Sequence, residues 1–344
     1  MKISKQESTA IKGVALIMMI IHHSWNTTLV GHLSLMLATP PEKIFDIISG
    51  QCKLCVAVFA FLSGWIFWEL KEKFCSYRYI ARKCIQFLIA YWVVVLCFVL
   101  IGIISSDNMP DIQTFMFNLF GFKVGAKEIM HYDYVNVVFA WYVRFYVCVL
   151  LTTPIILRLI SKERIHYSVL ILVSILLCLI TFHRESFILK DVLHIYFQWI
   201  PCVLVGIFCN KYKWMNSMQD KNKYILFFFF IALLCLRFKK MTFYGDISLD
   251  FVLVVFFIYY LKLIFECMNK KNVWFHSLVF LGSLSMNLWY CHSIFFIPSH
   301  KWTWMIRYTD NCILIIVSII LLSVPFAVIC EYIQNHVNKN ILKI

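Results

Sequence analysis

The sequence predicts an all-α integral membrane protein, on the basis of its composition, the length of its apolar runs and the distribution of its charge. Of its 344 residues, 62% are hydrophobic and only 15% are charged, and the mean hydropathy is +0.79. Soluble domains average about 45–50% apolar and about 25% charged residues. Ten apolar runs approach the length that a membrane-spanning helix needs. They cover residues 10–30, 52–70, 84–105, 138–160, 166–183, 195–211, 223–237, 247–265, 276–297 and 311–333.

The basic excess lies on one side of this predicted bundle. With the N-terminus inside, 20 Lys and Arg residues fall on the inner side and 11 on the outer side, whereas the acidic residues divide 7 to 11. This asymmetry follows the positive-inside rule and predicts that both termini are cytoplasmic. A basic outer loop with Arg237, Lys239 and Lys240 departs from the rule. The lipid bilayer therefore accounts for the net charge of +14 without a nucleic-acid partner.

We expect a single transmembrane domain over residues 1–344 that crosses the membrane several times. The first apolar run lacks the small-residue cleavage site of a signal peptide. Most of the fourteen cysteines fall inside predicted spans, where they behave as small apolar residues. Cys52 and Cys55 form one C-x-x-C, but no second pair stands at the spacing of a zinc site. The sequence therefore predicts no metal.

The first helix carries the clearest polar signal. Ser4 and Glu7 have the spacing of a capping box at its start. Lys12 and His23 are eleven residues apart, which on a helix places them within about 20° of each other and roughly 16 Å apart along the axis. His22 projects about 80° away from Lys12. Because an ionisable group deep in a membrane is costly and usually faces a polar cavity, His23 is predicted to be functional.

Other polar residues allow two interpretations each. The basic residues of the predicted inner loop after the second span either fix orientation or bind a phosphorylated substrate. Arg144, next to Trp141 in the fourth span, either extends to the interface or faces a polar cavity. Asn287 and His292 in the ninth span are either packing residues or functional ones.

These elements together resemble the membrane acyltransferase 3 family, whose members O-acetylate polysaccharides and related cell-envelope molecules. The resemblance follows chain order over nearly the whole sequence. It is carried by Lys12-Gly13-x-Ala15 with His23, Phe61-Leu62-Ser63-Gly64, Arg82-Lys83, Trp141-Tyr142 with Tyr146 and Pro154, Pro201 with Gly206-Ile207, and Leu281-Gly282 with Ser285 and His292.

The sequence departs from the family pattern at three places. Thr9 stands where the family often has Asp, and Lys12 stands where it commonly has Arg. Ile85 and Leu88 occupy the later places of the basic motif that often follows the second helix. The segment from Ser285 to His292 is similar in sequence to the corresponding segment of family members encoded with capsule or exopolysaccharide genes.

The resemblance implies a multi-pass O-acyltransferase of a bacterial inner membrane that takes an acyl group, most simply acetyl, from cytoplasmic acyl-CoA. Acetyl-CoA would then be a co-substrate, and the acceptor would be a hydroxyl of a cell-surface polysaccharide or its lipid-linked precursor. His23 is the expected general base or transient acyl carrier, with Lys12 on the same helix face as the second residue of the expected catalytic pair. Donor binding is expected at Arg82, Lys83, Arg78 and Ser63, with Lys12 adding a charge. Acceptor positioning or oxyanion stabilisation is expected at Arg144, Trp141, His292 and Asn287.

Two alternatives remain at the level of sequence. A transporter or flippase of a glycan or lipid intermediate would use the same bundle without consuming acyl-CoA, although paired broken helices at matching positions are not evident. A different membrane acyltransferase superfamily places its histidine late in the chain, and in that case His292 rather than His23 would be essential.

Overall fold

A computed structural model describes most of the chain. The described residues are 2–25, 43–104, 112–121, 141–162, 166–182, 188–219, 221–243, 249–268, 272–295 and 311–340. Residues 26–30 of the first predicted span and most of the predicted outer loops 31–51 and 106–137 lie outside them. The side chains of Lys239 and Lys240 are also outside the description.

The described chain is helical and contains no strand. In chain order, its helices are α1 (Lys5–Trp25), α2 (Lys43–Cys52), α3 (Cys55–Glu69), α4 (Lys71–Phe74), α5 (Tyr77–Ile104), α6 (Ile112–Leu119), α7 (Trp141–Ser161), α8 (Tyr167–Phe182), α9 (Ile188–Lys211), α10 (Trp214–Gln219), α11 (Lys223–Phe243), α12 (Asp250–Cys267), α13 (Val273–Ser283), α14 (Ser285–Cys291) and α15 (Cys312–Asn340). A 3₁₀ turn, His292–Phe295, follows α14 directly.

Within the described ranges, five helical segments are long and apolar enough to cross a membrane, and a broken pair of helices would make six. The five segments are Ile47–Glu69, Tyr77–Ile101, Trp141–Ser161, Val192–Lys211 and Ile313–Asn340. The pair corresponds to the ninth predicted span, which is interrupted at Leu284 rather than continuous. The prediction of an all-α membrane protein is thus confirmed in its class. The number of ten spans and the cytoplasmic position of both termini stay predictions.

Two compact units make up the structure. The first comprises Met1–Met19, Gly50–Ile80 and Cys148–Ser283, and the second comprises Ile20–Ser49, Ala81–Val147 and Leu284–Ile344. The expectation of a single functional domain stays a prediction.

Close helix crossings at glycines build the first unit. A Cβ atom at Gly64 of α3 would overlap the carbonyl of Val203 in α9, and one at Gly206 would overlap the carbonyl of Phe61. Gly13 of α1 and Gly282 of α13 have the same reciprocal relation. Small residues let membrane helices approach each other closely. Four glycines of the family-like motifs are therefore packing residues in this fold.

Buried ion pairs neutralise charges inside the first unit. The guanidinium of Arg237 donates from Nε to Asp250 Oδ1 at 2.6 Å and from Nη1 to the carbonyl of Gly50 at 2.7 Å. Both charged side chains are at most 6% exposed. Arg237 was expected in a basic outer loop, but it is a buried residue whose charge Asp250 balances. The positive-inside rule counted Arg237 as a loop charge because it uses sequence position alone and takes no account of the ion pair with Asp250.

A second buried pair begins at the capping box. The backbone N–H of Ser4 donates to Glu7 Oε2 at 2.7 Å, and the N–H of Glu7 donates to Ser4 Oγ at 3.3 Å, which confirms the predicted box. The other carboxylate oxygen of Glu7 accepts a hydrogen bond from Lys262 Nζ of α12 at 2.6 Å. Burial opposes ionisation of Glu7, but the hydrogen bonds from Lys262 and Ser4 outweigh burial and lower its pKa.

Candidate functional site

The second unit contains a buried polar and aromatic cluster around α14. This helix has only seven residues, yet its side chains and those of the following 3₁₀ turn contact α1, α5, α7 and α15. Six of its seven residues are buried, and so are all four residues of the turn. Because α14 starts anew at Ser285, its polar side chains point along directions that a continuous span would not have given them.

His23 of α1 and His292 of the turn form a direct pair at the centre of this cluster. His23 Nδ1 lies 2.9 Å from His292 Nε2, which is a hydrogen-bond distance. The ring planes are 4° from parallel, and the ring centroids are 5.1 Å apart. Since the two nitrogens are much closer than the two centroids, the rings meet along their edges. His292 is 0% exposed and His23 is 8% exposed.

The second nitrogen of His292 is held by the backbone. His292 Nδ1 lies 3.0 Å from the carbonyl oxygen of Leu288, one turn earlier in α14. A carbonyl oxygen can only accept a hydrogen bond, so this contact makes Nδ1 the donor.

His22 has a different environment from its neighbour. Its Nδ1 donates to the carbonyl of Ser49 at 2.9 Å, and Ser49 Oγ donates to the carbonyl of His22 at 3.0 Å. This double link fastens α1 to α2. It agrees with the helix projection, which separated the two histidines onto different faces.

Aromatic rings line the rest of the cluster. The rings of Tyr290 and Tyr91 of α5 have centroids 5.2 Å apart at an angle of 61°, and those of Trp289 and Tyr142 of α7 are 4.9 Å apart. Tyr142 also stacks on Tyr146, with 6.0 Å between centroids. Such pairs add about 0.5–1.5 kcal/mol beyond area burial, so they hold α14 firmly against α5 and α7.

Asn287 anchors α14 on α15. Gln334 Nε2 donates to Asn287 Oδ1 at 2.6 Å and also to the carbonyl of Ala90 at 3.2 Å. Asn287 Nδ2 returns a longer hydrogen bond to Gln334 Oε1 at 3.5 Å. The amide of Asn287 is thus engaged in helix packing, while its expected role toward the acceptor stays a prediction. Sequence reasoning missed Gln334, although a glutamine next to a long apolar run is the signal that could have found it.

The remaining predicted residues of the second unit lie on α5 and α7 and differ in exposure. Arg144 is buried on α7 and Trp141 is half-buried at the start of the same helix, where its ring packs edge-on against Tyr142. Arg82 is exposed near the start of α5. Lys83 is half-buried, and its ammonium donates to Gln86 Oε1 at 3.2 Å.

Three predicted residues belong to the first unit. Lys12 is half-buried on α1, and among the described residues it has no carboxylate within ion-pair distance. Ser63 is half-buried, and its hydroxyl donates to the carbonyl of Phe59 in its own helix at 2.8 Å. Arg78 is exposed in the first turn of α5. The contacts of the described residues thus bring His23 and His292 together directly.

This arrangement is suited to proton transfer. Two imidazoles share one hydrogen bond in a buried, aromatic-lined environment, where a neutral ring can accept a proton. No group of three or more His, Cys, Asp or Glu side chains suited to a metal ion occurs in the described ranges.

The chain matches a protein-family model. The model of the acyltransferase 3 family, described as an acyltransferase domain, matches residues 6–332. No curated protein matches the chain. No solved structure matches it either.

Proposed function

The chain belongs to the acyltransferase 3 family, and from this premise we propose that it transfers an acetyl group from cytoplasmic acetyl-CoA to a hydroxyl of a cell-surface polysaccharide or its lipid-linked precursor. Its apolar helices make it a multi-pass membrane protein. The observation that carries the proposal is the buried pair of His23 with His292, inside a chain that the acyltransferase model covers almost completely.

His23 acts as the general base in this proposal. Its neutral imidazole accepts the proton of the acceptor hydroxyl while that oxygen bonds to the thioester carbonyl carbon. When the tetrahedral intermediate collapses, the carbon–sulfur bond breaks and the imidazolium returns its proton to the leaving sulfur. The products are an ester and free CoA. General-base assistance of this kind contributes about 10²–10⁴-fold to the rate.

Basic residues expected on the cytoplasmic side would hold the donor. CoA carries several phosphate charges, which charge-assisted hydrogen bonds from Arg82, Lys83 and Arg78 can neutralise. Lys12 supplies a further point charge, and its lack of a carboxylate partner in the described chain supports this role. Ser63 would contact the acyl arm of the donor.

The acceptor would lie near Trp141 and Arg144, on the side of α7 predicted to be outer. An aromatic surface suits a sugar ring, and a buried arginine can stabilise the oxyanion of the tetrahedral intermediate. Asn287 holds α14 in place, so that the aromatic residues around Trp289 keep their positions.

A bundle of ten spans in a bacterial inner membrane, with both termini on the cytoplasmic side, is the arrangement that fits this reaction. It would place the donor residues on the side where acetyl-CoA is made. The buried pairing of Arg237 with Asp250 supports this arrangement. Since Arg237 is buried and paired, the predicted outer loop that departs from the positive-inside rule has one basic residue fewer.

Mass analysis of the surface polysaccharide tests the proposal. Cells without the gene should lose acetyl groups, and cells complemented with the natural sequence should regain them. Cells complemented with the His23→Gln variant should not, although the variant accumulates in the membrane. Unchanged acetylation in the gene-deleted cells would refute the proposed reaction.

Binding of CoA separates this enzyme from a transporter or flippase. The purified protein should bind CoA, and a combined Arg82→Gln and Lys83→Gln variant should bind it more weakly. The exposed Lys5→Gln variant is the matched control for loss of a positive charge. Failure of the natural protein to bind CoA at millimolar concentration would favour the transporter.

A further inference from the structure

We propose that His292 is a positioning residue that fixes the tautomer of His23, rather than a group that contacts the acceptor. The inference rests on the proposed role of His23 as general base. It follows from four atoms in one chain of hydrogen bonds: the carbonyl oxygen of Leu288, the two ring nitrogens of His292, and Nδ1 of His23.

The direction of the first hydrogen bond is fixed by chemistry. The carbonyl of Leu288 can only accept, so His292 Nδ1 carries a proton. A neutral imidazole has one protonated nitrogen and one lone pair. In neutral His292 the lone pair is therefore on Nε2.

The direction of the second hydrogen bond follows from the first. His292 Nε2 accepts, so His23 Nδ1 donates across the 2.9 Å contact. Neutral His23 is then held as its Nδ1–H tautomer, with the basic lone pair on Nε2. The backbone of α14 thus determines, through His292, which nitrogen of His23 can accept a proton, although His23 and His292 are 269 positions apart.

The same hydrogen bond strengthens during the reaction. When His23 takes the acceptor proton at Nε2, its ring becomes positively charged and its Nδ1–H becomes a charge-assisted donor to His292 Nε2. The interaction is thus stronger in the transition state than in the ground state, which is the requirement for a contribution to rate. It has the geometry by which an acidic residue orients the histidine of a serine hydrolase, with a neutral imidazole in place of the carboxylate.

Burial makes the assignment specific. His292 is 0% exposed, its ring is nearly parallel to that of His23, and the turn that bears it begins directly after α14. Ser293, the next residue, is equally buried, and its hydroxyl donates to the carbonyl of Tyr290 at 2.7 Å. Ser293 therefore offers a control at the same depth, because its side chain bonds to the backbone of α14 and not to His23.

Kinetics of the full-length protein in liposomes test the inference. The assay follows release of free CoA from acetyl-CoA, with polysaccharide extracted from gene-deleted cells as the acceptor. His292→Phe, which keeps a ring but removes the acceptor nitrogen, should lower kcat by about 10²–10⁴-fold, with an unchanged KM for acetyl-CoA. Ser293→Ala should keep the kcat of the natural protein.

A conservative variant distinguishes orientation from packing. In His292→Gln the side-chain carbonyl can accept from His23 Nδ1–H, and the variant should recover about tenfold of the loss, which is the equivalent of one hydrogen bond. Full activity of His292→Phe would overturn the inference. A low activity of His292→Gln equal to that of His292→Phe would also overturn it.

Nitrogen NMR of the natural protein gives a readout that does not require an active variant. In protein labelled with ¹⁵N-histidine, the signals absent from His23→Gln identify His23, and their shifts show which nitrogen is protonated. The inference predicts a proton on Nδ1. A proton on Nε2 would overturn it. An active His23→Gln variant, by contrast, would refute the proposed function itself, whatever the tautomer.

Discussion

The two units of the protein bury polar groups in different ways. In the first unit, Lys262 is paired with Glu7 and Arg237 with Asp250, so these two buried positive charges each meet a carboxylate. In the second unit, the nitrogen of His23 that faces His292 meets another imidazole. In a buried ion pair each partner stabilises the charged form of the other, which opposes proton exchange. A pair of imidazoles can instead gain or lose a proton and so change between a neutral and a charged state. The first arrangement is suited to stability and the second to chemistry.

Breaking an ion pair of the first unit should have the largest effect on stability. Lys262→Met leaves the buried carboxylate of Glu7 without its ammonium partner, and we expect a loss of about 3–5 kcal/mol in the free energy of unfolding. Denaturant unfolding in detergent measures it. Activity per folded molecule should not change.

A double variant provides the control for this prediction. Adding Glu7→Gln to Lys262→Met removes both charges, and the double variant should be more stable than Lys262→Met alone. If Lys262→Met instead unfolds like the natural protein, the pair is not a stabilising element and the contrast between the two units fails.

The glycine crossings should show a smaller effect of the same kind. Gly206→Ala places a methyl group against the carbonyl of Phe61, and the helices must separate to accept it. Overpacking of this type costs about 1–3 kcal/mol. The temperature of unfolding should fall, while the KM for acetyl-CoA stays the same in the fraction that remains folded. A selective rise in KM would place this crossing in the donor site.

Lys12 should show the smallest effect, on binding alone. Lys12→Gln removes a half-buried charge proposed to face the donor, and the KM for acetyl-CoA should rise about tenfold with little change in kcat. Lys12→Arg should keep a low KM because it keeps the charge, and the exposed Lys5→Gln should act as the neutral control. An unchanged KM in Lys12→Gln would remove Lys12 from the donor site.

The sequence was sufficient for the class of fold and for the local signals. Apolar runs predicted helices because this signal depends only on residues that are close together in the sequence. The capping box of Ser4 and Glu7 is equally local, and the structure confirmed it. Lys262 was missed as the partner of Glu7, since the two residues are 255 positions apart. Nothing in either local sequence indicates the other.

The same limit applies to the candidate site. His23 could be singled out as a polar residue in an apolar helix, and His292 as another, but their contact depends on the break at Leu284. The sequence predicted one continuous span over 276–297. Because the helix restarts at Ser285, the side chain of His292 points in a different direction from the one that a continuous helix over 276–297 would give it. The role of His292 could therefore not be read from periodicity.

Acetyl transfer by the His23→Gln protein in liposomes tests whether His23 transfers the proton. The matched control is His22→Asn, whose amide can keep the hydrogen bond to the carbonyl of Ser49. We expect that His23→Gln binds CoA and unfolds like the natural protein but transfers acetyl groups about 10²–10⁴-fold more slowly, while His22→Asn remains active. Transfer by His23→Gln at the rate of the natural protein would show that His23 is not the general base.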